Sequence, residues 1–250
     1  MKPRAFFTAL LTAGSLLAAQ PLFAQTAAST PGLDEEAVLP GTQIKGEIWN
    51  AVEVLEDLLA LPEDGIPPAL LRNAHGLVVI PSMIKLGWMI GGRHGSGVML
   101  VKKEDGSWSQ PIFVSLTGAS FGFQFGAQSS DVVLAFKRDK SIRNILEGKL
   151  TLGAETSVAA GPVGREASAA TDAQLRAEIY SWSRARGLFA GVSLDGSILR
   201  VDDARNASFY QTPEVTPEQI LAGSVTSRSG GINRLHALVN DPTNALGAQP

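Results

Sequence analysis

The sequence predicts an α+β fold: a strongly curved, mainly antiparallel sheet, barrel-like, flanked by a few helices. Three observations predict it. Sustained helical spacing of apolar residues precedes Gly76. From Gly76 to Ser208 glycines and β-formers dominate. Short runs of period two alternate there with turn dipeptides, and no repeat of fixed period is visible.

The amino terminus reads as an export signal. Lys2 and Arg4 precede an uncharged apolar stretch, Ala5 to Ala19, then Pro21 and the small residue Ala24. That stretch is shorter than the roughly 20 residues of a bilayer span. Residues 1–24 are therefore expected to be a cleaved signal peptide, and the chain to be periplasmic or secreted. With no cysteine there is no lipobox and no disulfide. Residues 25–41, small, polar and proline-punctuated, read as a flexible leader.

Residues 42–211 read as one domain and 212–250 as a helical tail. Ile44, Ile48, Val52, Leu55 and Leu59 share a helix face, with Thr42 as cap and Pro62 as stop. Glu47, Glu53, Glu56 and Asp57 lie opposite. This predicts a helix docked on the core; a membrane helix would carry Lys and Arg there. A short helix is predicted over 69–73 and a buried strand over Leu77–Ile80. Gly91, Gly92, Gly95 and Gly97 mark bends in a sheet. Glu104–Ser107 reads as a hairpin turn into a strand from Ile112.

Phe121, Phe123 and Phe125 alternate with Gly122, Gln124 and Gly126, which predicts one aromatic and one nearly bare strand face. Val132–Phe136 is the next strand. Asp139 is the expected cap of a helix through Leu146, closed by Gly148. Further strands are predicted over 150–154, 178–184, 188–194 and 197–201, and helices after Thr216 and over 233–239.

The chain carries 21 basic and 24 acidic residues, net −3. Loss of Lys2 and Arg4 with the signal makes it more acidic, a composition that does not suit nucleic acid. His75, His94 and His236 have no metal-ligand spacing, so no metal or cofactor is expected. Ser82-Met83-Ile84-Lys85 fits the S-x-x-K pattern of serine acylases, but its companion motifs are absent. No catalytic residue is assigned. One local basic cluster stands out: Lys137, Arg138, Lys140, Arg143 and Lys149. It reads either as a solvated face or as a site for an anionic headgroup. Arg165, in Gly161-Pro162-Val163-Gly164-Arg165, is a further candidate.

In order, the chain carries Ala74-His75-Gly76-Leu77, Gly91-Gly92-Arg93, Gly95-Ser96-Gly97-Val98 and Gly106-Ser107-Trp108-Ser109. Ala160-Gly161-Pro162-Val163-Gly164-Arg165, Gly187-Leu188-Phe189-Ala190-Gly191-Val192-Ser193, Asn206 and Phe209-Tyr210 follow. This ordered set, from about Gly46 to Tyr210, resembles the SYLF-domain family. The resemblance implies lipid binding: eukaryotic members bind phosphoinositides, and some bind actin filaments. It brings no catalytic residues. The expected function is non-enzymatic binding of an anionic phospholipid or phosphoinositide-like headgroup at the periplasmic face of an envelope membrane. The alternative is an interaction module with an envelope protein partner. Neither actin nor nucleic acid is expected as a partner.

Overall fold

The computed structural model describes residues 40–61, 65–162, 176–185, 188–191 and 194–245. For residues 40–43, 68–69, 88–90, 120–127 and 188–191 only the backbone is described. The expected signal peptide, the leader to residue 39 and Arg165 lie outside these residues.

Helix α1 spans Pro40–Ala60, starting two residues before the expected cap, Thr42. Ile44, Ile48, Val52 and Leu55 are buried as the spacing requires, but Leu58, and not the expected Leu59, completes the buried face, with Leu59 only half-buried. Helix α2 follows at Pro68–Arg72. Two long strands then dominate: β1, Gly76–Val101, and β2, Ile112–Phe136. They pair antiparallel from Gly76↔Phe136 to Met99↔Ile112. The expected hairpin turn joins them, with the Lys103 N–H donating to the Ser107 carbonyl at 2.7 Å.

Sequence periodicity predicts several short strands here; the structure joins them into two continuous ones. Pro81, expected at a strand end, lies inside β1, where the register shifts between Ile80 and Met83. Ser82 takes a left-handed φ of 54° there, the signature of a bulge. A second shift falls between Gly87 and Met89.

Strand β1 also curls back on itself, and its glycines permit this. A Cβ on Gly97 would lie 2.0 Å from the Val79 carbonyl oxygen. One on Gly95 would lie 2.6 Å from Ile80 Cγ2. The glycine-dense segment is thus where backbone meets backbone, which no side chain would allow.

The rest closes around this ribbon. Helix α3 is Asp139–Leu146, β3 Leu150–Thr151, β4 Val158–Ala160, β5 Ile179–Ala185, β6 Leu188–Gly191 and β7 Ile198–Val201. Helix α4 is Asp203–Tyr210, α5 Pro217–Leu221 and α6 Gly230–Asn240. The described strands form one curled sheet, order β3-β7-β2-β5-β4, with β1 also on β2 and β6 on β5. All pairings are antiparallel except β4 with β5. The α+β class with a curved, mainly antiparallel sheet therefore holds.

Several boundaries differ from expectation. Asp139 is the first residue of α3 and does not cap it. The strand expected to reach Ala154 stops at Thr151, because residues 153–155 turn so that Leu152 can bridge Thr156. Helix α4 was not predicted; the Asp202 side chain caps it by accepting from the Arg205 N–H at 3.1 Å. Helix α6 begins at Gly230, three residues before the expected start at Asn233, because Ser229 caps it. Ile232, Leu235 and Leu238 bury its inner face. Among the described residues, no helix is long and apolar enough to cross a membrane.

Candidate functional site

The basic cluster begins where β2 runs out. The Lys137 N–H donates to the Glu178 carbonyl at 2.8 Å, and the Arg138 guanidinium stands 3.3 Å from the Glu178 carboxylate. Helix α3 then turns Ser141, Ile142 and Ile145 inward, which leaves Lys140 and Arg143 facing solvent. Arg143 pairs with Asp139 one turn earlier. Lys149 follows, fully outside the core. Two of the five cations thus carry a carboxylate partner, whereas Lys140 and Lys149 form no salt bridge among the described residues.

Lys149 lines an open groove of about 760 Å³ between the end of α3, β7 and the start of α4. Arg200 stands in the same groove. It was absent from the sequence candidates because it is remote from the cluster in the chain. The alternation of β7 signals it: Leu199 is buried and Arg200 exposed. Glu147 and Asp203 also line the groove, so its charge is mixed. What the arrangement can do is hold an anion between Lys149 and Arg200 by charge-assisted hydrogen bonds.

Helix α1 has a different electrostatic fate. Glu47 pairs with Arg205 of α4, Asp57 with Arg184 of β5, and Glu56 with Arg234 of α6. Its acids reach arginines on three other elements and fasten the helix to the body. This is the docked helix that the sequence predicted.

A polar cleft of about 420 Å³ opens beside α1 at the β1 bulge. The Ser82 N–H donates to Asp131 Oδ1 at 2.9 Å, and Arg184 Nε donates to Asp131 Oδ2 at 2.7 Å. Burial pushes the Asp131 carboxyl upward and the Glu53 charge adds to this, while the Ser82 N–H opposes it. The guanidinium at 2.7 Å favours the carboxylate, so the ion pair is the state that this geometry supports. Ser82 sits in the bulge, outside the regular register, and Lys85 pairs with Gln128 further along the strand. No hydrogen bond joins Ser82 to Lys85 among the described residues, so the S-x-x-K pattern is not assembled as a nucleophile and base. His236 Nε2 lies 2.8 Å from the Ser109 carbonyl, while His75 and His94 are exposed. Among the described residues no three metal-binding side chains gather.

The motif residues turn out to do packing work. A Cβ on Gly161 would lie 2.0 Å from the Trp182 ring, so only glycine fits. Asn206 Oδ1 accepts from the Phe113 N–H at 2.9 Å, and its Nδ2 donates to the Phe113 carbonyl at 3.1 Å. The Tyr210 hydroxyl donates to the Pro111 carbonyl at 2.7 Å. Phe121, Phe123 and Phe125 lie in β2, but their side chains are outside the described ones.

Residues 117–241 match the family model Ysc84, described as "Las17-binding protein actin regulator". The chain is 33% identical over 190 residues to the SH3 domain-containing YSC84-like protein 1 of Xenopus laevis, covering 74% of this chain and 56% of that protein. It is 38% identical over 190 residues to Protein YSC84 of Saccharomyces cerevisiae, covering 73% of this chain and 40% of that protein. With LAS seventeen-binding protein 3 of the same yeast it shares 37% over 163 residues, 64% of this chain and 35% of that protein. The chain spans about half the length, or less, of these curated relatives.

Proposed function

The chain belongs to the Ysc84 family, the SYLF-domain family that its motifs resemble, and from that premise we propose a non-enzymatic lipid-binding protein. It docks on anionic phospholipid or phosphoinositide-like headgroups at the periplasmic face of an envelope membrane. The carrying observation is that three exposed cations around α3 and β7, Lys140, Lys149 and Arg200, form no salt bridge among the described residues. In a chain of net charge −3 they are a local feature. Lys149 and Arg200 flank one groove, and Lys140 stands on the solvent face of α3. Arg138 and Arg143 exchange their carboxylate partners for a phosphate on contact, and Lys137 and Arg165 complete the candidate set. The export signal read at residues 1–24 supports the periplasmic address.

Vesicle flotation tests this reading. Lys140→Glu with Lys149→Glu is expected to weaken binding to phosphatidylglycerol vesicles by about tenfold or more, since each basic residue near an anionic surface is worth about 1 kcal/mol. Equal flotation of the parent protein on neutral and anionic vesicles, unchanged by the variant, overturns the headgroup assignment.

The printed names favour a second reading, a module that binds a protein partner. The family description speaks of Las17 binding and actin regulation. The expectation that actin is not a partner therefore finds no support in the comparisons. Co-sedimentation with actin filaments decides it: pelleting of this chain with filaments establishes actin as a partner, and its absence at saturating filament concentrations restores that expectation.

A further inference from the structure

Among the described residues three large apolar side chains are exposed: Trp49 at 52%, Ile84 at 48% and Leu86 at 55%. Trp49 has a neighbour, since its ring lies 3.2 Å from where a Gly230 Cβ would stand. Ile84 and Leu86 differ. They lie two apart in β1 and so share one strand face. Their cross-strand partners are Ser129 and Ala127, which are small. They lead into a close backbone approach: a Cβ on Gly91 would lie 1.9 Å from the Leu86 carbonyl oxygen. Residues 86–91 therefore form a tight curl, and the sequence inside it is Gly87-Trp88-Met89-Ile90.

Charge selects the occupant. Residues 81–98 and 117–130, which make up this part of the ribbon, contain no acidic residue but include Lys85 and Arg93. The chain as a whole is acidic. An apolar curl with Lys85 and no acid in its own strand segments complements the boundary between headgroups and acyl chains of an anionic bilayer; Asp131, held by the Ser82 N–H, and Asp195, which attracts Arg93, lie outside those segments.

We infer that the curl of the β1–β2 ribbon, led by Ile84 and Leu86, inserts into the acyl region of an anionic membrane. This rests on the membrane-binding reading above and adds to it a second, apolar contact. Insertion is shallow. Among the described residues β1 pairs with β2 alone, and β2 over 118–130 pairs with β1 alone. Both ribbon edges thus keep backbone groups that need water or headgroups, and the hydrocarbon core supplies neither.

The chain has no cysteine, so Leu86→Cys gives a single labelling site for an environment-sensitive fluorophore. Glu104→Cys, in the exposed hairpin turn, is the control. With phosphatidylglycerol–phosphatidylethanolamine vesicles the label at 86 is expected to brighten, and acyl-chain bromines to quench it by about half or more, while the control stays unchanged. Ile84→Ser with Leu86→Ser is expected to weaken flotation by about tenfold without lowering the melting temperature. A protein that floats while the label at 86 stays in water overturns the inference and leaves the headgroup reading standing. A protein that does not float on either vesicle overturns both. Brightening without vesicles, with dimers in sedimentation, overturns the inference in favour of contact with a second copy.

Discussion

The two long strands have buried ends and an exposed middle. At the ends, Gly76–Ile80 and Val98–Leu100 of β1 face Ile112–Val114 and Val132–Phe136 of β2, and every one of these residues is buried. Helices and the strands β5 and β7 wrap them. In the middle the same two strands, still paired, expose Ile84 and Leu86. The ends are aliphatic and aromatic with one glycine, Gly76, whereas the middle is dense in glycine and carries Lys85 and Arg93. The two differ in composition and in what packs against them. The ends therefore hold the fold, and the middle is free to meet something outside it.

The largest expected effect is at the ends. Phe113 is fully buried, and its ring centroid lies 5.0 Å from that of Phe209. Phe113→Ala is expected to cost about 3–5 kcal/mol, measured by chemical denaturation. A cost no greater than that of an Ile84 substitution would erase the distinction between end and middle. Gly97→Ala comes next. Its Cβ would meet the Val79 carbonyl, so the curl must open, at about 1–3 kcal/mol. An unchanged melting temperature would mean that β1 does not curl there. Asn206→Ala removes the bonds to the Phe113 N–H and carbonyl and leaves buried groups unpaired, for about 1–3 kcal/mol by the same assay.

What the sequence made legible follows the same division. Local periodicity revealed α1, because its buried face repeats every three or four residues. The glycines of β1 read as bends, which they are. Their contacts were illegible, since Gly97 meets Val79 and Gly95 meets Ile80 far along the chain. Helix α4 was missed because the polar Asn206 takes a buried position beside Phe209 and Tyr210, and no apolar repeat announces it. At the candidate site, Lys140 and Lys149 could be found as a run of cations in sequence. Arg200 could not, because only the fold carries β7 to the end of α3.

The smallest expected effect bears most directly on the comparison. Leu86→Ser alters a side chain that is 55% exposed and faces the small residue Ala127 across the ribbon. The curl beside it depends on backbone approach at Gly91, which this change leaves intact. Stability is therefore expected to move by no more than about 0.5 kcal/mol in denaturant titration. Serine at 86 also makes the free protein more soluble, because it removes apolar surface that nothing described covers. Both results together would show that Leu86 is held outside the core at no benefit to the fold. A loss of 2 kcal/mol or so, the size of a buried leucine's contribution, would instead place Leu86 within the core and make the middle of the ribbon equivalent to its ends.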